Sequence, residues 1–398
     1  MLQKNMNNLL VNPISYLETF FGAIEVDIEI PKDKYNYFGE YPPLFQTKEY
    51  SEELCGEFTK EVINKTRKGK KFQTVKRLIA SLKATKIVLN SDLIKWLVEH
   101  GAKITKVYGI IPAERGYPFI GFMNWVTDKR RLGEVELRYA ILASAAKNVG
   151  NSAYGRTIMN KNKFTNRKFC NEKQFNRAVN NHFFRDAEEY DGFYEVSSKP
   201  RVVKQNTPLQ IGYNILQLAK LRMLQFAYDC IDKYIDRKDY QFMYMDTDSL
   251  YFALSDDFDK LIKPKLREEF EKDKINWFPR TDTTENKAFD KFKPGIFKIE
   301  FVGDGMVALC SKTYYCLGSK DKFSCKGTQK SRNMHILNFE TYKNVLFNSE
   351  TVTAVNSGFR YNNKEMKTYI QPKKGLSCVY PKAVTMKDGV HIRPIENI

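Results

Sequence analysis

Two aspartates, Asp246 and Asp248, sit in the middle of the stretch Tyr240 to Leu254, which reads YQFMYMDTDSLYFAL. Carboxylates are hard oxygen ligands. Two of them on a rigid support suit a Mg²⁺ ion shared with substrate phosphates. The runs on either side are apolar and aromatic, which favours strands, and Asp246-Thr247-Asp248-Ser249 is turn chemistry. The pattern predicts a β-hairpin with both aspartates at its tip. Residues two apart on an extended chain point the same way, so the two carboxylates can reach one point in space. Asp-x-Asp also makes a good turn without any metal, and this stretch alone leaves both readings open.

A second set of residues has helical spacing. Lys147, Asn151, Tyr154 and Ile158 follow at i, i+4, i+7 and i+11 and share one face. A cation there can hold a triphosphate, and a flat ring can stack on a base or wall it off. Gly150 lets something approach the helix backbone closely. A solvent-facing lysine with Asn and Gly closing the helix accounts for the same residues. A third set is Lys312-Thr313-Tyr314-Tyr315, followed by Lys326-Gly327. On a strand, Lys312 and Tyr314 point the same way, one toward a phosphate and the other toward a sugar or base.

The whole chain limits what these residues can serve. It has 398 residues, enough for two or three domains, and 42% are hydrophobic. The net charge is +18, spread along the chain rather than gathered in a tail. Such a surface suits a polyanion, most simply nucleic acid, although a basic but ordinary enzyme has the same charge. The cysteines number seven, an odd count, with no CxxC pair, and read as reduced thiols in a cytosolic-type compartment. The four histidines are scattered, which argues against a histidine metal site or triad. No long apolar run or signal-peptide core appears, so the expected chain is soluble and membrane-free.

The elements that must position the three sets follow in order. Residues 1–20 are weakly patterned. Ala23 to Ile30 alternates as a strand, with Val26, Ile28 and Ile30 on one side and Glu25, Asp27 and Glu29 on a solvated side. Tyr41 to Phe45 is extended. Residues 60–77 carry Lys65, Arg67, Lys68, Lys70, Lys71, Lys76 and Arg77, either a loop near a phosphate backbone or a solvated charge run. Leu78–Leu82 and Thr85–Leu89 read as a strand pair. A helix capped by Ser91-Asp92 runs to His100, and Lys103–Ile111 is a strand. Residues 119–158 read as helix broken near Gly133. Residues 160–205 are basic with interleaved phenylalanines, either an insertion that grips a nucleic-acid strand or a plain surface subdomain. A long helix from Thr207-Pro208 through Tyr234 uses Ile215, Leu218, Leu221, Met223, Leu224 and Ala227 as its apolar face. Asp257–Asp273 reads as an amphipathic helix. Gly295–Val302 and Met306–Leu317 read as a strand pair. The part after 330 reads as one helix, Asn338–Phe347, with short polar strands.

Together the three sets resemble the motifs of family B DNA polymerases, in that family's order. Lys147-x-x-x-Asn151-Ser152-x-Tyr154-Gly155 resembles the finger motif Kx3NSxYG. Tyr244-x-Asp246-Thr247-Asp248-Ser249 resembles the palm motif YxDTDS, and Lys312-x-Tyr314 resembles the primer-strand motif KxY. The surrounding text, from AIEVDIEI to FVGDGMVALCSKTYY, is most similar to the protein-primed branch, which copies linear viral, plasmid or transposon-like DNA. The resemblance spans about residues 20 to 395.

The resemblance implies an α/β (α+β) right-hand polymerase fold. Its parts would be an incomplete N-terminal palm segment over 1–118, fingers over 119–160 and a basic insertion over 161–205. The palm with the DTD hairpin would follow over 206–329 and a thumb over 330–398. It implies templated nucleotidyl transfer with two Mg²⁺ ions held by Asp246 and Asp248. Lys147, Asn151, Tyr154 and Arg131 would bind the incoming nucleotide, and Lys312, Tyr314 and Lys326 the primer end. DNA template and primer and dNTPs are the implied partners, with a terminal protein as a further one. The family's motif A, DxxSLYP, and its exonuclease motifs do not appear. The expectation is therefore a C-terminal polymerase half that works with an N-terminal polymerase/exonuclease segment. The alternatives are a catalytically inactive nucleic-acid-binding remnant and a metal-dependent nuclease, against which the finger motif argues.

Overall fold

The computed structural model describes residues 2–67, 72–362 and 365–396. It is a mixed α and β structure with small antiparallel sheets. The chain divides into two units, Met1–Gly116 with Gln217–Ile398, and Tyr117–Leu216 between them.

The larger unit begins with α1 (Leu2–Val11) and α2 (Pro13–Thr19), where the sequence shows only weak patterning. Strand β1 (Gly22–Glu29) buries Ile24, Val26 and Ile28, as its alternation requires. Its other side is a polar surface: Asp27 accepts from the Tyr108 hydroxyl at 2.9 Å, and Glu29 pairs with Lys83 at 3.1 Å. Next come β2 (Leu44–Tyr50), α3 (Glu57–Arg67), β3 (Val75–Ser81), β4 (Lys83–Asn90), α4 (Ser91–Glu99) and β5 (Lys103–Pro112). Strands β3 and β4 exist as expected but do not pair with each other. β3 pairs with β2, and β4 lies beside β1 in the order β4-β1-β5. Only Leu82 separates β3 from β4, too little for a hairpin turn. The cap of α4 is Asn90, whose side chain accepts from the Asp92 amide, rather than Ser91-Asp92. Of the basic run, Lys65 lies on α3 and Lys76 and Arg77 on β3, while Lys68, Lys70 and Lys71 lie outside the described residues.

The smaller unit holds α5 (Ile120–Val135), α6 (Ala140–Thr157), β6 (Asn166–Cys170), α7 (Glu172–Val179), β7 (Phe184–Tyr190) and β8 (Phe193–Ser198), with the strands in the order β6-β8-β7. The break between the two helices falls at Glu136–Tyr139, not near Gly133. Gly133 lies inside α5 for a packing reason. A Cβ there would come within 2.3 Å of Ala143 Cβ, so the glycine is where α6 presses against α5. The close approach foreseen at Gly150 is likewise made within this helix pair, by Val126.

Helix α8 (Leu209–Gln225) continues as a π-helical stretch over Phe226–Asp232. Its apolar side chains are buried only from Leu221 on, and Ile215 and Leu218 are exposed, contrary to the apolar face expected of them. The π-helical stretch places Asp229 to accept from Trp96 Nε1 at 2.9 Å and to meet His100 Nε2 at 2.8 Å. This fixes α4 to the helix that delivers the chain to β9 (Tyr240–Asp246) and β10 (Ser249–Leu254), a hairpin as the sequence predicts.

The expected helix over 257–273 starts later, as α9 (Arg267–Trp277), after two short turns. Pro264 has no N–H and opens the second of them. Then come α10 (Thr284–Asp290), β11 (Gly305–Cys310), β12 (Thr313–Leu317) and β13 (Lys322–Cys325). Residues 295–302 form no ladder, and the strand expected over Met306–Leu317 is itself a hairpin, β11–β12. The chain continues through α11 (Lys330–Asn333), α12 (Phe339–Phe347), β14 (Thr353–Asn362), β15 (Glu365–Lys374), β16 (Val384–Thr385) and β17 (Ile392–Arg393). β14 and β15 form a ten-residue ladder, longer than the short strands expected. One buried cluster joins β1 to α1, α2, α4 and α8, a second lies under the β9–β10 hairpin, and a third joins β11–β13 to α12.

The α5–α6 packing makes a prediction with opposite signs at two glycines. Gly133→Ala forces the helices apart and should destabilise the smaller unit by about 1–3 kcal/mol. Gly155, on α6, has nothing within 4 Å of an added Cβ, so Gly155→Ala should stabilise by about 0.5–1 kcal/mol through helix propensity. Thermal unfolding of the two variants checks both signs, and equal shifts would show the register wrong.

Candidate active site

The β9–β10 hairpin turns over two residues. Asp246 faces Ser249 across the ladder, and Thr247 takes a left-handed conformation at φ 54°. The Asp248 amide donates to the Asp246 carbonyl at 2.6 Å, and the Ser249 hydroxyl donates to the same carbonyl at 3.2 Å. The tip is therefore fixed by its own backbone. The Asp248 side chain is exposed, and that of Asp246 is partly covered. Asp246 Oδ1 accepts from the Thr247 hydroxyl at 3.1 Å. Asp246 Oδ2 is 2.6 Å from Lys312 Nζ.

Lys312 lies in the turn of the β11–β12 hairpin, with φ 62°. The expectation that it shares a strand face with Tyr314 is corrected: Tyr314 is on β12, and Lys312 is outside the strand. The backbone of Lys312 is held at both ends. Its amide donates to the Tyr244 hydroxyl at 2.8 Å, and its carbonyl accepts from the Ser324 hydroxyl at 3.0 Å. The hydrogen bond to Asp246, and then that carboxylate's charge, hold the Lys312 ammonium above its ordinary value.

Behind the lysine, three tyrosines pack together. Tyr244 and Tyr314 rings are 5.1 Å apart, Tyr251 and Tyr314 5.3 Å, and Tyr244 and Tyr251 5.5 Å. The Tyr251 and Tyr314 hydroxyls are 3.1 Å apart. Burial raises all three phenols, so each stays protonated and available for hydrogen bonding at neutral pH. Lys326 is exposed just after β13, and its amide donates to the Thr313 hydroxyl at 3.3 Å.

The structure thus brings Asp246, Lys312 and Tyr314 together, with Asp248 on the same turn. Three residues assigned no role in the sequence reading belong to this group. Tyr244 and Tyr251 face each other across the hairpin, and the even spacing of Tyr244 from the aspartates was a usable signal. Ser324 carried none.

In the smaller unit, Lys147, Asn151 and Tyr154 lie on α6, and Ile158 caps it. Lys147 and Asn151 are exposed, and Tyr154 is half-buried. Arg131 lies on α5 and pairs with Asp128 at 3.2 Å. The contacts at Gly133–Ala143 and Val126–Gly150 share one antiparallel register, which sets Arg131 level with Ala145. The 160–205 stretch folds as a strand-and-helix layer that presents aromatic rings. Phe169 packs edge-on against Phe193 at 5.5 Å, Tyr190 stacks on Phe193 at 5.2 Å, and Phe169 is 71% exposed.

The donor set fits a metal ion only in part. Asp246 and Asp248 supply carboxylate oxygens, and the Lys312 ammonium already stands as a cation on one of them. Among the described residues, no group of three or more acidic, histidine or cysteine side chains lies close enough to hold an ion. All seven cysteines are free thiols. Among the described residues, no helix is long and apolar enough to cross a membrane. No protein-family model, curated protein or solved structure matches this chain.

Proposed function

We propose that this chain is the palm (YxDTDS) and KxY part of a family B DNA polymerase of the protein-primed type. The observation that carries the reading is the Asp246–Lys312 contact, which joins two resemblance motifs 66 residues apart in sequence. In this reading α5 and α6 are the fingers, the β9–β10 and β11–β12 hairpins belong to the palm, and residues 330–398 are the thumb. Asp246 and Asp248 would hold Mg²⁺ with the nucleotide's phosphates. When bound, that ion lowers the pKa of the primer 3′-hydroxyl and neutralises charge on the phosphoryl group and the leaving pyrophosphate.

The chain's own residues have separate tasks. Lys147 and Arg131 contact the triphosphate, and Asn151 and Tyr154 line the new base pair. Lys312, Tyr314 and Lys326 hold the primer end. A third carboxylate comes from a further polymerase segment, and a terminal protein can supply the priming hydroxyl. The partners are template–primer DNA and dNTPs.

A second reading, a nucleic-acid-binding chain without catalysis, is favoured by the tip carrying two carboxylates with no third potential ligand grouped with them among the described residues. Templated primer extension decides between them. The chain alone should extend little, and the chain with a DxxSLYP-bearing segment should extend a primed template. Robust extension by the chain alone would overturn the division of labour. None in the assembled pair would leave the second reading.

Nucleic-acid binding itself should fall steeply with salt. The charge of +18 and the exposed aromatic rings of 160–205 motivate this expectation. Releasing the counterions of about four to six phosphates gives a loss of roughly a hundredfold or more in affinity between 50 and 200 mM salt. Fluorescence anisotropy with single-stranded DNA measures the slope, and a flat isotherm counts against any polyanion partner.

A further inference from the structure

Both oxygens of Asp246 are engaged, one of them by the Lys312 ammonium. Asp246 Oδ2 is 2.6 Å from Lys312 Nζ, while its Oδ1 accepts from Thr247. Mg²⁺ sits about 2.1 Å from its oxygen ligands. An ammonium and a divalent ion sharing one carboxylate oxygen would lie roughly 4 Å apart and repel. They therefore compete. The pivot of the lysine is fixed, because the Tyr244 and Ser324 hydroxyls hold its amide and carbonyl. Its side chain is 60% exposed, so the ammonium can swing on its four-carbon stem to an anion in solvent.

We propose that Lys312 is a resident counter-cation for Asp246, and that a nucleic-acid phosphate opens the carboxylate to the metal by drawing this ammonium away. The inference rests on the polymerase reading of the site and adds an order of events to it: nucleic acid first, metal second. Without nucleic acid, the lysine keeps the hairpin from holding a divalent ion idly. The device needs no movement of backbone, only the exchange of one ion pair for another.

Mn²⁺ binding to the full chain, followed by the loss of the free-ion electron paramagnetic resonance signal, tests this without any activity assay. Lys312→Met keeps a flexible unbranched side chain and removes the ammonium. It should bind Mn²⁺ about tenfold more tightly than the wild type in the absence of nucleic acid. Lys312→Arg keeps the cation and should stay within about twofold of the wild type. In an Asp246→Asn background the gain from Lys312→Met should vanish. A short single-stranded oligonucleotide should tighten Mn²⁺ binding to the wild type, after subtraction of ions on the oligonucleotide, and leave Lys312→Met unmoved. Equal affinity in the wild type and Lys312→Met, a gain that survives Asp246→Asn, or no ion bound by either chain overturns the proposal. A wild-type affinity unchanged by the oligonucleotide also overturns it. Failed primer extension with the competition intact removes the polymerase reading alone, and the reverse pattern removes the gate alone.

Discussion

Asp248→Ala, in the chain assembled with a segment that supplies the third carboxylate, is expected to lower single-turnover nucleotide incorporation by about a thousandfold. Affinity for primed DNA should stay within about twofold. The reasoning is local. Asp248 is an exposed side chain on a turn fixed by backbone hydrogen bonds, so its loss leaves the hairpin standing. In the proposed polymerase reading it removes a carboxylate that would stabilise the ion at the transferring phosphate, a contribution of several kcal/mol to the transition state. Lys147→Ala should cost about ten- to a hundredfold, chiefly in the nucleotide concentration needed. In the same reading its charge-assisted contact to the triphosphate would be made before chemistry and strengthen as pyrophosphate leaves. Incorporation measured over a dNTP titration separates the two effects. Near-normal rates in Asp248→Ala would reduce the hairpin to a turn and end the catalytic assignment.

Phe38→Ala should lower the stability of the larger unit by about 3–5 kcal/mol, the largest expected effect on folding. The ring is fully buried and has no polar atom to be satisfied elsewhere. It packs edge-on against Tyr228 at 5.1 Å and against Trp96 at 6.4 Å. Removing it opens a cavity where the first sheet, α4 and the helix leading to the DTD hairpin meet. Leu137→Ala, at a side chain 90% exposed, is the control and should change stability by less than about 0.5 kcal/mol. Urea unfolding of both variants gives the difference from their midpoints. A Phe38→Ala midpoint close to that of the control would mean that this cluster does not hold the unit together.

The DTD hairpin was legible because each level of its sequence agrees: strand formers on both sides, turn residues between, and carboxylates at even spacing. The alternation of β1 was legible for the same reason. The Lys312 turn was not, because Cys310-Ser311-Lys312-Thr313 contains no glycine, asparagine or proline to announce it. A lysine with positive φ is uncommon, and here its backbone is held by hydroxyls from Tyr244 and Ser324, which no local pattern reveals. The misplaced helix break has the opposite cause. Gly133 looks like a breaker in sequence, but it serves the packing of α5 on α6. Pairing partners were hidden as well. β3 and β4 are adjacent in sequence, yet each finds its neighbour elsewhere, since only tertiary contacts set sheet order. The family reading rests on three motifs, and of these the fold brings the second and third into contact within one unit.

The far end of the chain is tied to its beginning. The Ala80 amide of β3 donates to the Lys382 carbonyl, and Glu396 accepts from the Ser81 hydroxyl and the Leu82 amide, the last contact spanning 314 residues. During synthesis, β3 therefore emerges with these donors unanswered and must wait for Lys382 and Glu396. The smaller unit, continuous from Tyr117 to Leu216, is complete much earlier. The inserted unit can thus close before the unit whose first part precedes it in the sequence. Contacts of such long range slow folding and leave an open strand edge exposed while the chain is unfinished.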